Sequence, residues 1–335
     1  MAYDAATRTV VPFGGLGAEH KPLNDTWTWN GSPGLSRPPS GKPRVTLGRG
    51  AASANVWQGS GLAPQVLYRS EQMTDHASHY TFPHSGANER RRLELFAERL
   101  DPLTVRRIKA LGLAPGARCL EVGGGRGSIA RWLCEYVGRT GRVTATDLET
   151  GFLSELSLPN LEVLRHDVTS DEFPDGSFDL VHVRAVLMHI PDRMAVLRRM
   201  VSWLAPGGWL LAEDCDFGMW LADFDPVWGA HPRAWHEAFP NGSLAQGRAV
   251  LRQIHQLGLE DIGADAELDI VRPGTALSEF YRLSIGAMAG QLISSGVMTA
   301  AEEARLEARL DDPDFLGCGF AFIGAWGRRA AEPSG

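Results

Sequence analysis

A glycine-rich stretch carries the clearest chemical signal in this sequence. From Glu121 to Ser128 it reads E-V-G-G-G-R-G-S. An apolar run, RCLEV, leads into it and an amphipathic pattern, SIARWLCEYVG, follows, so we predict a loop between a strand and a helix. The glycines at positions 123, 125 and 127 permit a tight turn. They also let a ligand lie against bare backbone beside the free N–H groups of the helix start.

Two acids follow this loop at a regular interval. Asp147 lies at the end of the next strand-like run, RVTATDL, twenty residues after Gly127, and Asp167 ends LEVLRHD after twenty more. An acid at the end of the second strand can accept hydrogen bonds from two ribose hydroxyls. The loop also starts from an acid, in the order E-x-G-x-G-x-G, whereas nicotinamide enzymes typically carry G-x-G-x-x-G.

Helix-like and strand-like patterns alternate around these residues. The stretch from Ser85 predicts a helix with apolar positions at Leu93, Phe96 and Leu100, and a second helix over 103–111. FDLVHVR and GWLLAED are further strands, and the helix RMAVLRRMVSWL between them ends at the APGG of residues 205–208. The three arginines at positions 90–92 are interpreted as a solvated charged face of the first helix. This alternation predicts an α/β domain with a mainly parallel sheet.

The alternation loosens after Cys215. SLAQGRAVLRQIHQLG, TALSEFYRLSIGAMAGQLISSG and TAAEEARLEARL are predicted helices, and AELDIVRPG and CGFAFIGAWGRR are predicted strands. The helices at about 275–310 precede the last strand. They are expected to form a lid over the site.

The ordered set of motifs, completed by FDLVHVRAVLMHIPD and LAPGGWLLAED, resembles the class I S-adenosylmethionine-dependent methyltransferases. The resemblance covers about residues 80–335 and is most specific between residues 118 and 214. It implies a doubly wound, Rossmann-like fold with a seven-stranded sheet whose last strand is antiparallel. It also implies S-adenosylmethionine as the cofactor and methyl transfer as the reaction.

The same resemblance implies a role for each residue of the glycine loop. Gly123, Gly125 and Gly127 are expected to pack beside the methionyl part of the cofactor. Gly124 is expected to contact it by proximity. Glu121 is expected to order the loop.

The strand ends are expected to hold the rest of the cofactor. By resemblance, Asp147 binds the ribose hydroxyls while Leu148 flanks the adenine. Asp167 meets the adenine amino group, and Val168 lies beside the ring. Arg184, at the end of the fourth strand, is expected to offer mainly its backbone carbonyl to the methionyl amine.

His189 is the candidate catalytic residue because it follows the fourth strand, beside the expected methyl group. A base is required only where the acceptor must lose a proton. The L-x-H-I-x-D pattern around His189 recurs in related methyltransferases with quite different acceptors, which favours a packing and hydrogen-bonding role over base catalysis. Asp214 and Asp216 are expected to face the same opening of the site, and they are weaker alternatives to His189 as the base.

An aromatic-rich segment after the fifth strand leaves two interpretations open. His231 and His236 lie among Trp228, Trp235 and Phe239. These residues could wall a pocket for an aromatic acceptor. An ordinary hydrophobic cluster explains the same composition equally well.

Composition narrows the acceptor and partner classes. The net charge is −7, and residues 1–50 carry six basic and three acidic side chains, so the remainder is acidic at −10. Nucleic acid is therefore a poor partner. Residues 182–185 read HVRA, where base-amine methyltransferases carry D/N-P-P-Y, so we expect a small-molecule acceptor such as a secondary metabolite.

The four scattered cysteines predict neither a metal site nor disulfides, and no run is apolar enough for a membrane span, so we expect a cytoplasmic protein.

The N-terminus has a separate character. Residues 1–31, which include VVPFGG and LNDTWTWNG, resemble one blade of a kelch-type propeller, and residues 32–79 have the composition of a linker. A propeller needs at least four blades, which disfavours a kelch-type interaction module. The other alternative, a nicotinamide-dependent oxidoreductase, lacks a recognisable acid/base constellation for hydride transfer. The methyltransferase domain is expected to span 80–335.

Overall fold

The computed structural model describes residues 2–4, 9–11, 86–238 and 243–331. The chain divides into two units, Met1–Gln72 and Met73–Gly335. In the first unit, β1 (Ala2–Asp4) pairs antiparallel with β2 (Thr9–Val11). The remainder of the kelch-like segment and all of the predicted linker lie outside the described residues.

A seven-stranded sheet organises the second unit. Its strands are β3 (Arg118–Val122), β4 (Arg142–Asp147), β5 (Leu161–Arg165), β6 (Phe178–Arg184), β7 (Leu204–Asp216), β8 (Glu260–Val271) and β9 (Gly317–Arg328). Their order is β5-β4-β3-β6-β7-β9-β8. Strands β3 to β7 pair in parallel, and β9 runs antiparallel to both of its neighbours. The predicted fold class, including the antiparallel last strand, is confirmed.

Eight helices of the described residues accompany this sheet. They are α1 (Ala87–Ala110), α2 (Ser128–Val137), α3 (Arg193–Trp203), α4 (Gly218–Leu221), α5 (Ala230–Ala238), α6 (Gln246–Gln256), α7 (Ala276–Ser294) and α8 (Ala300–Asp311). Helices α7 and α8 lie between β8 and β9 in the chain, and each begins at a threonine capping box, Thr275 and Thr299. These boxes satisfy backbone N–H groups that the helices themselves leave unpaired.

The prediction of two separate helices before β3 is wrong. Helix α1 is continuous over 24 residues and contains Pro102 in its interior. Proline removes one backbone donor and crowds the preceding turn, which is why a break was expected. Leu100, Leu103 and Thr104 flank this point and are buried. Their burial stabilises the helical path across the proline, since most helix stability in proteins comes from packing.

The junction between α3 and β7 also differs from the prediction. The helix ends at Trp203 and the strand starts at Leu204, so the APGG of residues 205–208 belongs to the strand. The pairing of β7 with β6 is irregular there, between the partners of Phe178 and Leu180. Gly207 has φ +78°, and its N–H donates to the Arg329 carbonyl at 3.0 Å. The glycines therefore permit an irregular strand entry and are not a simple helix stop.

A chain of buried charged groups crosses the middle of the sheet. His182 on β6 bonds through Nδ1 to Glu121 on β3, and through Nε2 to Glu213 on β7 at 2.9 Å. Arg107 on α1 donates to Glu213 at 2.6 Å and to Asp265 on β8 at 2.6 Å. Burial disfavours charged forms, yet the two glutamates raise the pKa of His182 to about 9. Against the same burial effect, His182 and Arg107 lower the pKa of Glu213 to about 2.

Replacing Arg107 tests how strongly this chain holds α1 to the sheet. Arg107→Met leaves the Glu213 carboxylate short of a cation in the interior, so we expect a loss of about 3–5 kcal/mol in unfolding free energy. Arg106→Met is the matched control, because Arg106 also contacts Asp265 but its side chain is 57% exposed. That variant should lose less than about 1 kcal/mol. Urea unfolding measures both, and equal losses would contradict the central role of Arg107.

Candidate functional site

A cavity of about 600 Å³ lies at the carboxyl ends of the parallel strands. This edge is where open α/β sheets bind ligands. Nine of the eleven site residues predicted from the sequence line the cavity: Gly123, Gly124, Gly125, Asp147, Leu148, Asp167, Val168, Arg184 and His189. The other two, Glu121 and Gly127, do not line it.

The glycines of the loop serve different purposes. Gly123 has φ +69°, and a Cβ there would lie 2.3 Å from the Val186 side chain. Gly125 has φ +55°, and a Cβ there would meet no described protein atom within 4 Å, which leaves bare backbone facing the cavity. Gly127 has φ +74°, but its Cβ would collide with Leu156 at 2.4 Å. Gly127 is therefore required by backbone conformation and packing, and it does not line the cavity.

Asp147 connects the end of β4 to the glycine loop. Its Oδ2 accepts from the backbone N–H of Gly125 at 2.9 Å, and its Oδ1 accepts from that of Glu149 at 3.2 Å. A carboxylate has about four lone-pair positions, so both oxygens retain capacity for a ligand. Leu148, the next residue, adds an apolar surface to the cavity wall.

Asp167 is tied into the turn that follows β5. Its Oδ1 accepts from the backbone N–H of Thr169 at 2.9 Å and from the Thr169 hydroxyl at 2.7 Å. Val168 is buried and lines the cavity beside it. His166 also lines the cavity, and burial lowers its pKa. Both of its ring nitrogens are buried without a hydrogen-bond partner, a feature that no sequence motif revealed.

The side chain of Arg184 has a role that sequence reasoning missed. It donates to Asp101 at 2.8 Å and to Thr104 at 3.2 Å, both on α1. Asp101 also accepts from Ser128 at the start of α2. The guanidinium thus joins the end of β6 to α1. Ala185, the following residue, has φ +54°, a strained conformation for a residue with a Cβ that often marks functional sites.

Helix α1 forms one wall of the cavity, and its arginines are not a uniform solvated face. Arg92 is buried and donates twice to buried Glu89, at 2.7 Å each. Both residues line the cavity. Arg91 is exposed as expected but pairs with Glu279 on α7 at 2.8 Å, and Arg90 is half-buried and pairs with Glu155 at 2.7 Å. The interpretation of a solvated face is therefore wrong for Arg92.

His189 lines the cavity in an unusual electrostatic setting. Burial, together with the positive charges of Arg92 and Arg193, lowers the pKa of its imidazole to about 4. The ring is therefore neutral at physiological pH. A neutral imidazole with so low a pKa is a hydrogen-bonding group but a weak proton acceptor.

The two acids at the end of β7, Asp214 and Asp216, were expected to face the site, but neither lines the cavity. Asp214 is fully buried and accepts from the backbone N–H groups of Met188 at 3.0 Å and Cys215 at 2.9 Å. Burial raises its pKa to about 7. Asp216 is paired with Arg248. Both acids hold neighbouring backbone and side chains in place, so they are not alternatives to His189.

An aromatic region forms the part of the cavity between α4, α5, α7 and β9, and its rings are Phe217, Trp220, Trp235, Phe280, Tyr281 and Phe320. Two of the residues predicted for an acceptor pocket, His231 and Trp235, line it. Trp228 is fully buried behind the wall, and His236 does not line the cavity. Phe239 lies outside the described residues. Trp228 therefore belongs to the hydrophobic core, whereas His231 and Trp235 line the cavity, and their role toward an acceptor stays a prediction.

The described residues show neither a candidate metal site nor a candidate membrane-spanning helix. They contain no group of three or more His, Cys, Asp or Glu side chains able to hold a metal ion. None of the described helices combines the length and apolar character that a membrane crossing requires. All four cysteines are free.

The corner around the glycine loop fits a nucleoside with an amino-acid tail. Bare backbone at Gly125 is hydrogen-bonded to Asp147, so a carboxylate suited to ribose hydroxyls lies directly beside a surface that admits close approach. Leu148 and Val168 provide apolar contacts suited to a flat base. S-adenosylmethionine has this combination of groups.

Comparisons with known proteins agree with this geometry. A family model described as a methyltransferase domain matches residues 89–263, just over half of the chain. Methyltransferase str3 of Strobilurus tenacellus is 34% identical over 113 residues, which are 33% of this chain and 40% of that protein. The ubiquinone/menaquinone biosynthesis C-methyltransferase UbiE of Laribacter hongkongensis is 32% identical over 127 residues, 36% of this chain and 48% of that protein.

The chain thus spans less than half the length of these two curated relatives. Among solved structures, the YcgJ protein of Bacillus subtilis is similar with a TM-score of 0.47 and 19% identity, over 67% of this chain and 96% of that one. The family match starts at residue 89 and lends no support to a kelch-type blade in residues 1–31.

Proposed function

The chain belongs to the methyltransferase-domain family, and from this premise we propose that it transfers a methyl group from S-adenosylmethionine to a small-molecule acceptor. One observation carries the proposal. The Gly125–Asp147 corner shares a single cavity with a separate aromatic region. A cofactor and an acceptor would therefore meet inside one protein-walled space, within a domain proposed to span residues 80–335.

The residues around the corner would hold the cofactor. We propose that Asp147 binds the ribose hydroxyls and that Leu148 and Val168 contact the adenine. Asp167 would bind the adenine amino group, in addition to its bonds with Thr169. When bound, S-adenosylmethionine supplies an electrophilic methyl group on a sulfonium.

The methionyl end would lie against the glycine loop. Gly123, Gly124 and Gly125 line the cavity, and the backbone there permits close contact. We propose the Arg184 carbonyl as the acceptor for the methionyl amine, since its guanidinium is already engaged with Asp101 and Thr104. Glu121 would support the glycine loop without lining the cavity, through its buried hydrogen bond to His182.

The protein's contribution to such a reaction is mainly alignment and exclusion of water. Positioning two reactants can supply about 7–11 kcal/mol of the barrier reduction. Helix α1 covers the cavity and is fixed by the ion pairs of Arg184 with Asp101 and Arg91 with Glu279. Helix α7 contributes Phe280, and this wall restricts water around the reacting groups.

Removing the Asp147 carboxylate tests the cofactor assignment. Asp147→Ala should weaken S-adenosylhomocysteine binding about 10- to 100-fold, because charge-assisted hydrogen bonds to ribose are lost along with the anchor of Gly125. Glu162→Ala is the control, since this acid lies on β5 outside the cavity. Isothermal titration calorimetry measures both. Unchanged affinity in a folded Asp147→Ala variant, or wild-type binding of NAD in place of S-adenosylhomocysteine, would refute the proposal.

We further propose that His189 positions the acceptor by hydrogen bonding and is not a general base. Because its pKa is about 4, it stays neutral from pH 5 to 8 and should add no ionisation to the rate profile there. His189→Gln should therefore retain more than about a tenth of kcat and leave the shape of the pH profile unchanged. A fall of about 10²- to 10⁴-fold, with loss of an acidic limb, would instead identify a base.

A further inference from the structure

We propose that the methyl acceptor is an uncharged aromatic molecule carrying a hydroxyl group, and that His231 and Ser284 bind this hydroxyl in the aromatic region of the cavity. The inference deepens the proposed function and rests on it. It assigns the acceptor class and two recognition residues. The aromatic rings and the charge balance of the cavity wall support the acceptor class. The unpaired polar atoms support the two recognition residues.

The walls of this region are suited to a flat ring. Phe217 meets Trp235 edge-on, with ring centroids 4.8 Å apart, and Trp220 meets Tyr281 in the same way at 4.9 Å. Such edge and offset contacts are the favoured arrangements of aromatic groups. All four rings line the cavity, so an aromatic acceptor would extend an existing cluster.

Two buried polar atoms on these walls have no hydrogen-bond partner: Nδ1 of His231 and Oγ of Ser284. His231 is only 3% exposed, and its ring stacks on Trp220 at 5.5 Å. Buried polar groups are nearly always paired, so these two atoms point to a ligand group. Tyr281 provides the contrast, because its hydroxyl already donates to Asp269 at 3.2 Å and accepts from the Phe320 N–H at 2.8 Å.

A neutral hydroxyl matches both atoms. Burial lowers the pKa of His231 to about 4, so its ring is uncharged at physiological pH and Nδ1 either donates or accepts, according to the tautomer. The serine hydroxyl can also do either. A ligand hydroxyl is both donor and acceptor, and therefore satisfies either atom in any of these states.

The charged pair on the α1 wall of the cavity argues against an ionic acceptor. The buried pair of Arg92 and Glu89 lines the cavity, and its two members neutralise each other through two hydrogen bonds. A phosphorylated acceptor is typically bound by arginine side chains whose forks remain available to phosphate. An uncharged acceptor needs no such group.

Equilibrium dialysis of three probes against the protein saturated with S-adenosylhomocysteine tests the inference. The probes are 2-naphthol, naphthalene and 2-naphthyl phosphate, which share a ring system and differ in their polar group. We expect 2-naphthol to bind about 25-fold tighter than naphthalene, which corresponds to two net hydrogen bonds. The phosphate ester should bind more weakly than 2-naphthol.

Variants then locate the hydroxyl. His231→Leu and Ser284→Ala should each reduce the preference for 2-naphthol over naphthalene by about fivefold, since each removes one polar partner. His231→Asn should preserve the preference, because its amide places a polar atom near the position of Nδ1. Two controls should match wild type. His236→Leu changes another α5 histidine outside the cavity, and Ser294→Ala changes an α7 serine bonded to the Gln291 carbonyl.

The outcomes separate this inference from the proposed function. If S-adenosylhomocysteine binds but naphthalene binds as well as 2-naphthol, the acceptor assignment is wrong and methyl transfer stands. If 2-naphthyl phosphate binds tightest of the three probes, the acceptor assignment is also wrong and methyl transfer stands. An unchanged preference in folded His231→Leu and Ser284→Ala overturns the two recognition residues. If S-adenosylhomocysteine does not bind at all, the proposed function fails and the inference fails with it.

Discussion

The pairing of Arg107 with Glu213 is the interaction on which the arrangement of this site depends. It lies with no exposed side-chain surface at the contact between α1 and the sheet. Breaking a buried ion pair by removing one partner is costly, because the other charge is left unpaired in a medium of low polarity. The chain of contacts continues through His182 to Glu121, directly before the glycine loop. One set of charges therefore fixes both the helix over the cavity and the strand beneath it.

This constraint explains how α1 contributes to the site. The helix is held near Arg107 at one end, and its preceding turns carry Asp101 and the buried Arg92–Glu89 pair. Asp101 joins Arg184 on β6 to Ser128 on α2, so the helix, the sheet and the start of α2 form one connected unit. Pre-organisation of this kind is what a transfer reaction requires, because its rate depends on alignment.

The parts of the site that were predictable from sequence are those set by local chain geometry. Loop glycines and the acid that ends β4 lie within one strand–loop–helix–strand unit, so the spacing of Gly125 and Asp147 was enough to bring them together. The contacts that were missed join residues distant in sequence. Nothing in the spacing indicates that Arg107 reaches Glu213, or that Leu156 occupies the space beside Gly127.

The aromatic segment shows a second limit of prediction from sequence. Trp228 and Trp235 are seven residues apart and both buried, yet only Trp235 lines the cavity. The packing of α5 against α4 and α7 decides which side of the helix meets the cavity, and the amino-acid composition does not encode that packing. The continuity of α1 across Pro102 was missed for a related reason, since tertiary burial outweighed a local helix-breaking signal.

A crystal structure of the protein with S-adenosylhomocysteine is the most direct test of the central claim, that one cavity holds the cofactor at the glycine loop and the acceptor among the aromatic rings. The account predicts ribose hydroxyls at Asp147, adenine between Leu148 and Val168, and the homocysteine tail along residues 123–125. It also predicts that the aromatic region beside His231 remains free for an acceptor. A nucleoside bound among those rings, or a ligand away from Asp147, would contradict it.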